Sequence, residues 1–433
     1  MTAGSAPRPR LLSTAAIIAV GSELLTPTRF DTNSLFITEQ LNAIGIDVLA
    51  KAVVGDDREE LTHLFNAVRA RVDLVIFTGG LGPTDDDVTR ESVAAALGRS
   101  LSEDESITER LRARFAARGF QMPMPEINRR QAMVPEGATV IENNRGSAPG
   151  LWLDDEDGRV VVLLPGPPRE LRPMLSVLVD GPLQTRGSGA RLLRRVMKIA
   201  GRIESQTDQE FQPLYREWAD MAPPIGATIL AQLGQIELHV FTRDRDRAQG
   251  MARLDAAVAQ AAAVLGEDVF SSDGRLLEHV VGDLLVERGL TIAVAESCTG
   301  GLIASRLTDI AGSSRYVQQA VVTYSNEAKT SLLGVPPEMI AEHGAVSEPV
   351  ALAMAEGIRS RAGVGVGVGV TGIAGPTGGT PEKPVGTVAV AAVTSRATRA
   401  TMFRFSGERE QVKFQASQAA LDMVRRMLLP RVP

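Results

Sequence analysis

The amino-acid sequence predicts an α/β protein with a doubly wound N-terminal domain, a small α+β linking domain and a second α/β domain at the C-terminal end. Short apolar runs alternate with helical stretches over residues 12–187 and again over 270–430, which is typical of parallel sheets covered by helices. Residues 190–268 differ, because segments with strand periodicity there stand beside helical ones. A chain of 433 residues is long enough for three domains that each bury a core.

The first domain begins with an apolar run, AAIIAV at residues 15–20, which predicts a buried strand. We prefer a strand to an export signal because no clear small-residue cleavage site precedes GSELL, and we therefore expect a cytoplasmic protein. A helix is predicted near residues 33–44 and a strand at 46–54. LTHLFNAVRARV then predicts a helix, and VDLVIFTGG predicts a buried strand that ends in a glycine turn. VVVLLPGPP predicts a later strand, preceded by an acidic hairpin tip.

The linking domain contains two alternating segments, RRVMKIAG and GQIELHVFTR, that predict strands with one face in water. SQTDQEFQPLYREWA and RAQGMARLDAAVAQAAAVLG are helical by their period. No GxxG loop of the kind that clamps a nucleic-acid backbone lies between these helices, so we do not predict RNA binding.

The C-terminal domain opens with an amphipathic helix, GRLLEHVVGDLLVERG, and a strand, TIAVAES, that ends in a Ser/Thr/Gly turn. VGVGVGVTGIAGPTGG predicts a central strand followed by a polar turn. The glycines on one face of that strand would let a helix or another backbone approach closely. KPVGTVAVAAVTS and RATMFRF predict a final pair of strands.

Composition excludes several classes of partner. A net charge of −6 and an aromatic content of 4% argue against a basic or base-stacking surface, so we expect no nucleic-acid partner. No apolar run reaches the roughly 20 residues that span a bilayer, so we expect no membrane partner. The single cysteine, Cys298, excludes an internal disulfide and fits a reducing compartment. Small molecules remain as the expected ligands.

A first candidate site is the loop TGGLGPTDDDVT at residues 78–89, which follows a predicted strand. Ligands of open α/β sheets bind at this edge, and glycines such as Gly79, Gly80 and Gly82 let the backbone approach a phosphate. The spacing is GGxG, which makes a dinucleotide-binding fingerprint a weaker interpretation, and the P-loop lysine is missing.

Acidic side chains converge on the same predicted sheet edge. They can hold a divalent cation such as Mg²⁺ or Co²⁺ that bridges to phosphate oxygens, whereas the alternative is a set of helix N-caps. The acids in question are Glu23, Asp31, Asp56, Asp57, Asp85, Asp86 and Asp87. Asn33 and Thr84 are predicted to contact the ligand beside them.

A second candidate site lies within AESCTGGLIASRLTDIAGSSRYVQQAVVTYSNEAKT, residues 295–330. Amide hydrolysis needs an activated nucleophile, and here we predict Ser314 in that role. Lys329 is predicted to be the base, which requires that desolvation lower its pKa, and Tyr324 would relay the proton or hold the lysine. In the alternative interpretation, Ser314 caps the N-terminus of a helix, and Lys329 and Tyr324 are ordinary surface residues.

Cys298 is a rival nucleophile, since a thiol is intrinsically more reactive than a hydroxyl. Only His343 and His279 are available in this domain to activate it, and a buried, inert cysteine is the commoner outcome. The turn at Gly300 and Gly301 instead suits a phosphate. The turn GIAGPTGG, which begins at Gly372, would add backbone donors. Thr299 lies in the first of these turns, and Arg409 either pairs with a phosphate or is a surface charge.

The chain resembles the CinA family (competence/damage-inducible protein A). In the first half the matching segments are GSELL, DTN, TGGLGPTDDD, NNRGSAPG and LPGPP. In the second half they are AESCTGG, AGSS, VTYSNEAK, LGV, HGAVSEP, TGIAGPTGG and KPVGTV. The resemblance implies a molybdopterin-binding-like domain with metal-dependent ADP-ribose pyrophosphatase activity, then a KH-type linking domain without established RNA binding. It also implies a homodimer with a C-terminal nicotinamide-nucleotide amidase domain, which needs no cofactor to convert nicotinamide mononucleotide into nicotinate mononucleotide and ammonia.

The resemblance also implies roles for residues of the C-terminal domain. Ser314 matches the family's nucleophile, Lys329 its base and Tyr324 its assisting phenol. Three further positions match substrate contacts, namely Ser297, Thr371 and Arg409. Two residues before the Tyr324 strand depart from a more usual glycine-rich stretch, Gln319 and Ala320.

In the first domain, Asp56 and Asp87 align with the acidic pair of molybdopterin-binding relatives. Asp85 and Asp86 belong to the family's acidic turn. Pro27 stands where the family usually has glycine, and proline can neither adopt positive φ nor donate an N–H. The first activity is therefore expected to be altered if that glycine shapes the pocket.

Overall fold

A computed structural model describes residues 10–117 and 124–430. The chain divides into two compact units. The first comprises Met1–Leu193 with Arg243–Gly250, and the second comprises Arg194–Thr242 with Met251–Pro433. Each unit is an assembly of strands and helices, as the sequence predicts.

The first unit is built on a six-stranded sheet in the order β2-β1-β3-β8-β7-β6. The strands of this unit are β1 Thr14–Val20, β2 Asp47–Val54, β3 Leu74–Thr78, β4 Leu101–Glu103, β5 Met133–Pro135, β6 Thr139–Ile141, β7 Gly150–Asp154 and β8 Val160–Leu164. Strands β4 and β5 form a separate two-stranded sheet. Its helices are α1 Thr32–Ala43, α2 Arg58–Arg69, α3 Thr89–Ala96, α4 Glu105–Ala117, α5 Pro168–Leu178 and α6 Gln184–Arg186. Strands β2, β1, β3 and β8 are parallel, and β7 and β6 complete the sheet in antiparallel fashion.

Both faces of this sheet are covered, which confirms the doubly wound prediction. One core contains Ile37 of α1 and Leu175 of α5, and the other contains Leu61 and Phe65 of α2. Strands buried on both faces are nearly continuously apolar, so runs such as AAIIAV and VVVLL were readable as strands. The acidic segment before β8 forms the predicted hairpin turn, with the amide of Asp155 bound to the carbonyl of Arg159.

A buried carboxylate fixes the beginning of β1. Asp73 accepts hydrogen bonds from the backbone amides and hydroxyls of Ser13 and Thr14, and the Arg10 guanidinium lies 2.7 Å from its other oxygen. Burial alone would raise the pKa of Asp73, but these hydrogen bonds prevail and lower it to about 2. The start of the central strand is thus held by an ionised side chain.

The second unit contains the sheet β14-β13-β15-β16-β17 and most of the sheet β10-β11-β9-β12; β9, β11 and α8 each have one end within the residues of the first unit. The strands are β9 Arg191–Ile199, β10 Ile225–Gln232, β11 Gln235–Asp244, β12 Val269–Ser271, β13 Ile292–Glu296, β14 Val317–Val322, β15 Val366–Gly372, β16 Thr387–Thr394 and β17 Thr398–Arg404. The helices are α7 Glu204–Ala219, α8 Arg247–Leu265, α9 Leu277–Glu287, α10 Leu302–Thr308, α11 Asn326–Leu333, α12 Pro337–His343, α13 Glu348–Ala362 and α14 Arg409–Leu428. Strands β14, β13 and β15 are parallel, whereas β16 and β17 are antiparallel to their neighbours.

The Val/Gly alternation is the central strand β15, as predicted. A Cβ at Gly367 would lie 2.2 Å from the Ala355 carbonyl oxygen, and one at Gly369 would lie 2.2 Å from that of Ala351. Helix α13 therefore packs against the strand at a distance that only glycine permits. Among the described residues, no helix is both long and apolar enough to cross a membrane.

Candidate functional site

A rigid turn follows strand β13 in the second unit. Glu296, the last residue of β13, is 1% exposed, and its carboxylate accepts hydrogen bonds from the amides of Gly301, Ile303 and Ala304. Gly300 and Gly301 adopt φ values of 62° and 93°, which residues with a Cβ rarely adopt. The Ser297–Gly301 turn is thus fixed by a buried side chain that the sequence did not single out.

Lys329 lies against this turn. Its Nζ is 3.2 Å from Ser297 Oγ, 3.0 Å from the Thr323 carbonyl oxygen and 3.4 Å from that of Tyr324. The side chain is 1% exposed, and burial lowers the pKa of Lys329 below that of an ordinary lysine. A buried Ser–Lys pair is therefore present, but its serine is Ser297.

The predicted pairing of Ser314 with Lys329 is wrong within this chain. Ser314 lies in an exposed turn before β14, whereas Lys329 follows the carboxyl end of the same strand. Six residues of strand span about 20 Å, so the two side chains lie at opposite edges of the sheet. Ser297 follows β13, which is parallel to β14, and therefore shares the edge with Lys329.

Tyr324 and Arg409 are brought together at the same edge. Arg409 Nη2 donates to the Tyr324 hydroxyl at 3.1 Å, and Nη1 donates to the Gly375 carbonyl at 2.6 Å. The Tyr324 side chain is exposed, so its phenol faces solvent and Arg409 rather than Lys329. The structure thus places Tyr324 at the rim of the Ser–Lys pair, with its backbone carbonyl on the lysine.

The remaining predicted contacts of the C-terminal domain surround this pair. Thr371 and Gly372 end strand β15, next to β13, and the Ser297 amide donates to the Val370 carbonyl. The Thr371 hydroxyl donates to the Ala345 carbonyl at 2.8 Å. Thr299 is fully buried, and among the described residues its hydroxyl oxygen has no hydrogen-bond partner.

Cys298 does not have the environment of a nucleophile. Burial raises the pKa of its thiol to about 12, so the thiolate is scarce at neutral pH. His343, one of the two histidines considered as its activator, ends α12 and pairs with Glu342 at 3.8 Å. The other, His279, lies in α9. Cys298 is instead part of the hydrophobic core of the domain.

In the first unit, a cleft of about 670 Å³ opens at the carboxyl ends of β1, β3 and β8. It is the edge at which the sequence predicts a ligand. The predicted residues that line it are Glu23, Asp31, Asn33, Asp56, Gly79, Gly80, Gly82, Asp86 and Asp87. Among the described residues, the lining does not include Thr84, Asp85 or Pro27, and Asp57 caps α2 instead.

The glycines of this cleft are required by close backbone contacts. Gly79 has φ of 97°, and a Cβ there would lie 2.2 Å from the Val20 carbonyl oxygen. A Cβ at Gly80, whose φ is 65°, would lie 2.1 Å from Thr89 Oγ1. The loop therefore packs against β1 and α3 at distances that only glycine permits.

The predicted carboxylates do not assemble into a common cation site. Asp87 accepts hydrogen bonds from the Gly82 amide and from the Thr84 amide and hydroxyl, and Asp85 pairs with Arg130 at 3.0 Å. Asp56 accepts from the Ser22 amide. In the part of the chain that the structure describes, no three His, Cys, Asp or Glu residues are grouped to hold a metal ion.

The helix N-cap alternative does not describe Asp85 and Asp87 either, because the N-cap of α3 is Val88 and no side chain caps that helix; both carboxylates hold the loop instead. Nearby backbone amides and Arg130 satisfy these carboxylates, and Asp31 accepts from the Ser34 amide, whereas Glu23 and Asp86 are among the other acids that line the cleft. A hydrogen bond from Thr84 lowers the pKa of Asp86. A hydrated cation that arrives with a phosphate needs only one or two carboxylates, so the cleft fits such a cation only in the company of its ligand.

Two arginines that the sequence did not single out hold the glycine loop. Arg90 is 1% exposed, and its guanidinium donates to the carbonyls of Leu81 and Arg130. Arg130 in turn donates to the Thr84 carbonyl. A charged residue in a segment such as TRESVAAA is an ordinary surface feature, so only the fold shows that this one is buried.

These features define a class of protein: a doubly wound domain with a glycine-lined cleft, followed by a domain with a buried Ser–Lys pair. Residues 16–185 match the family described as a probable molybdopterin binding domain, and residues 275–428 match the CinA C-terminal domain. A CinA-like protein of Koribacter versatilis is 46% identical over 96% of this chain and 100% of its own length. The chain belongs to the CinA family.

A second relative gives the same family. A CinA-like protein of Acidobacterium capsulatum is also 46% identical, over 96% of this chain and 100% of its own length. The crystal structure of the competence/damage inducible protein CihA from Agrobacterium tumefaciens is 42% identical. It covers 35% of this chain and 93% of its own, with a TM-score of 0.34.

Proposed function

We propose that the C-terminal domain is an amidase that converts nicotinamide mononucleotide into nicotinate mononucleotide and ammonia, with Ser297 as nucleophile and Lys329 as base. The observation that carries this proposal is the 3.2 Å separation of Lys329 Nζ and Ser297 Oγ in a buried site. The resemblance to CinA proteins suggests the substrate. The contact with Lys329 supports Ser297, rather than Ser314, as the nucleophile.

The surroundings of Lys329 suit a neutral amine. A neutral amine has two N–H groups and one lone pair, and two backbone carbonyls, those of Thr323 and Tyr324, accept the two N–H groups. The lone pair then faces Ser297 Oγ, whose O–H donates to it. Burial favours this form because it penalises the ammonium ion.

The reaction follows in two steps. Lys329 takes the Ser297 proton as Oγ bonds to the carboxamide carbon, and the lysine then gives that proton to the departing nitrogen, which leaves as ammonia. The resulting ester is hydrolysed by water, whose proton returns through Lys329 to Ser297 Oγ. The buried Thr299 hydroxyl is the donor proposed for the substrate oxygen. Arg409 and Tyr324 would position the substrate at the rim.

A pair of alanine variants tests this assignment. Ser297→Ala is expected to abolish ammonia release from nicotinamide mononucleotide, because no oxygen remains beside Lys329. Ser314→Ala is the matched control, and it is expected to keep wild-type turnover because that serine lies at the opposite edge. The reverse pattern would refute the proposal, and thermal melts would show that both variants are folded.

For the first domain we propose metal-dependent pyrophosphate cleavage of ADP-ribose or a related dinucleotide. The support is a cleft at the carboxyl edge of the sheet, lined by the glycine loop and by the carboxylates of Glu23 and Asp86. Full-length protein carrying Ser297→Ala would be assayed for ADP-ribose cleavage with Mg²⁺ or Co²⁺. An added Asp86→Ala substitution is expected to reduce metal-stimulated turnover at least tenfold.

The alternative is a domain that binds a nucleotide or a pterin without turning it over. The dispersal of the predicted carboxylates favours this alternative, since no protein-only cation site is present among the described residues. Calorimetric binding of ADP-ribose without product formation, with or without metal, would establish it and would refute the pyrophosphatase proposal.

A further inference from the structure

Lys413 is a cation beside the proposed amidase site that the mechanism does not use. It lies in helix α14, one turn after Arg409. Its Nζ would be 3.6 Å from a Cβ placed on Gly300, so the ammonium group stands directly over the Ser297–Gly301 turn. Within residues 10–117 and 124–430, the Lys413 side chain makes no hydrogen bond or ion pair.

The other cations of this site are already engaged. Between residues 270 and 430 there are three lysines, and the other two are held by the protein. Lys329 contacts Ser297, while Lys383 donates to the carbonyls of His343 and Val346. Arg409 is held by Tyr324 and by a backbone carbonyl. Lys413 is thus the lysine of this domain whose charge is left for a ligand.

The backbone that supports Lys413 is rigid. Glu408 and Gln411 form a reciprocal capping box at the start of α14. Val412 and Ala416, on either side of Lys413 along the helix, are fully buried in the core. The Lys413 amine is therefore held at a fixed position over Gly300. Because Gly300 has no side chain, there is room for a ligand group between them.

We propose that Lys413 recognises the 5′-phosphate of the mononucleotide substrate and so makes the amidase selective for phosphorylated substrates. The inference rests on the proposed amidase function, because it names the substrate group that the same site would bind. A phosphate dianion matches an unpaired ammonium group that can approach it as a point charge. Lys413 acts in binding and specificity and takes no part in the transfer of protons.

The test compares two substrates that differ only in the phosphate, nicotinamide mononucleotide and nicotinamide riboside. Lys413→Met removes the charge at similar length, Lys413→Arg keeps a cation, and Arg396→Met removes a charge from an exposed turn at the opposite edge of the sheet. For the mononucleotide, Lys413→Met is expected to lower kcat/KM roughly 10- to 100-fold, mainly through KM. Its kcat/KM for the riboside is expected to change less than about twofold. Lys413→Arg should recover most of the loss, and Arg396→Met should lose nothing.

The outcomes distinguish a failure of the phosphate role of Lys413 from a failure of the proposed amidase function. Equal losses on both substrates, or an unchanged preference for the mononucleotide in Lys413→Met, would overturn the phosphate role. If the wild type releases no ammonia from the mononucleotide, the proposed amidase function fails. In that case the phosphate role is tested by binding alone, from the calorimetric affinities of wild type and Lys413→Met for the mononucleotide and the riboside. A phosphate-dependent loss of binding supports it, and equal affinities overturn it.

Discussion

The clearest consequence of the buried Ser–Lys pair concerns the base. Lys329→Arg keeps a positive charge and hydrogen-bond donors, but a guanidinium does not lose its proton at any working pH. The 3.2 Å contact with Ser297 then has no lone pair to accept the serine proton. Loss of general-base catalysis is expected to lower kcat for ammonia release roughly 100- to 10,000-fold. That loss corresponds to about 3 to 5 kcal/mol of transition-state stabilisation.

The pH dependence of kcat/KM tests whether Lys329 acts as a neutral base. Burial lowers the pKa of Lys329, and the neutral amine is the reactive form. The wild-type kcat/KM should therefore rise with pH and reach its plateau below about 10.4, the pKa of an ordinary lysine. Ammonia release from nicotinamide mononucleotide would be measured from pH 5 to 10, with Lys329→Met as a neutral comparison. Lys329→Arg with more than a tenth of wild-type turnover would refute the reasoning.

Three further expectations concern other parts of the chain. Asp73→Asn should lower the free energy of unfolding of the first domain by about 2 kcal/mol at pH 7. Because the folded pKa of Asp73 is depressed to about 2, this difference should be full above pH 5 and shrink as the pH falls toward 2 in urea titrations; equal losses at pH 7 and pH 2 would contradict it. Native Cys298 should resist iodoacetamide at pH 8, and rapid modification would show that the thiol is not buried. Gly79→Ala should weaken binding of ADP-ribose at least tenfold, because its Cβ would lie 2.2 Å from a carbonyl oxygen, whereas Gly98→Ala, with φ of 65° and open space, should leave binding unchanged.

The fold of the chain was largely readable because its strands are buried. Runs such as LVIF and IAVA are continuously apolar, and their alternation with helices is enough to predict parallel sheets. The glycines of β15 predicted a close helix because only a missing side chain allows such an approach, and α13 makes it. Burial and periodicity are local properties, so a single sequence carries them.

The site was only partly readable, because it depends on the direction of strands. Ser297 and Lys329 both follow strands, while Ser314 precedes one, so parallel pairing of β13 and β14 places the first two at one edge and Ser314 at the other. That signal was present in the order of the elements, although the AGSS turn looked equally suited to a nucleophile. The roles of Asp85 and Asp87 were less accessible, since their hydrogen bonds depend on the exact path of the loop.

The most direct test of the account is to identify the atom that carries the acyl group during turnover. Wild-type protein would be mixed with nicotinamide mononucleotide, quenched in acid within milliseconds, digested and examined by tandem mass spectrometry. The account predicts an ester on Ser297 that forms as ammonia is released and is missing from Ser297→Ala. An adduct on Ser314 or Cys298, or a burst of ammonia without any adduct on the protein, would contradict it.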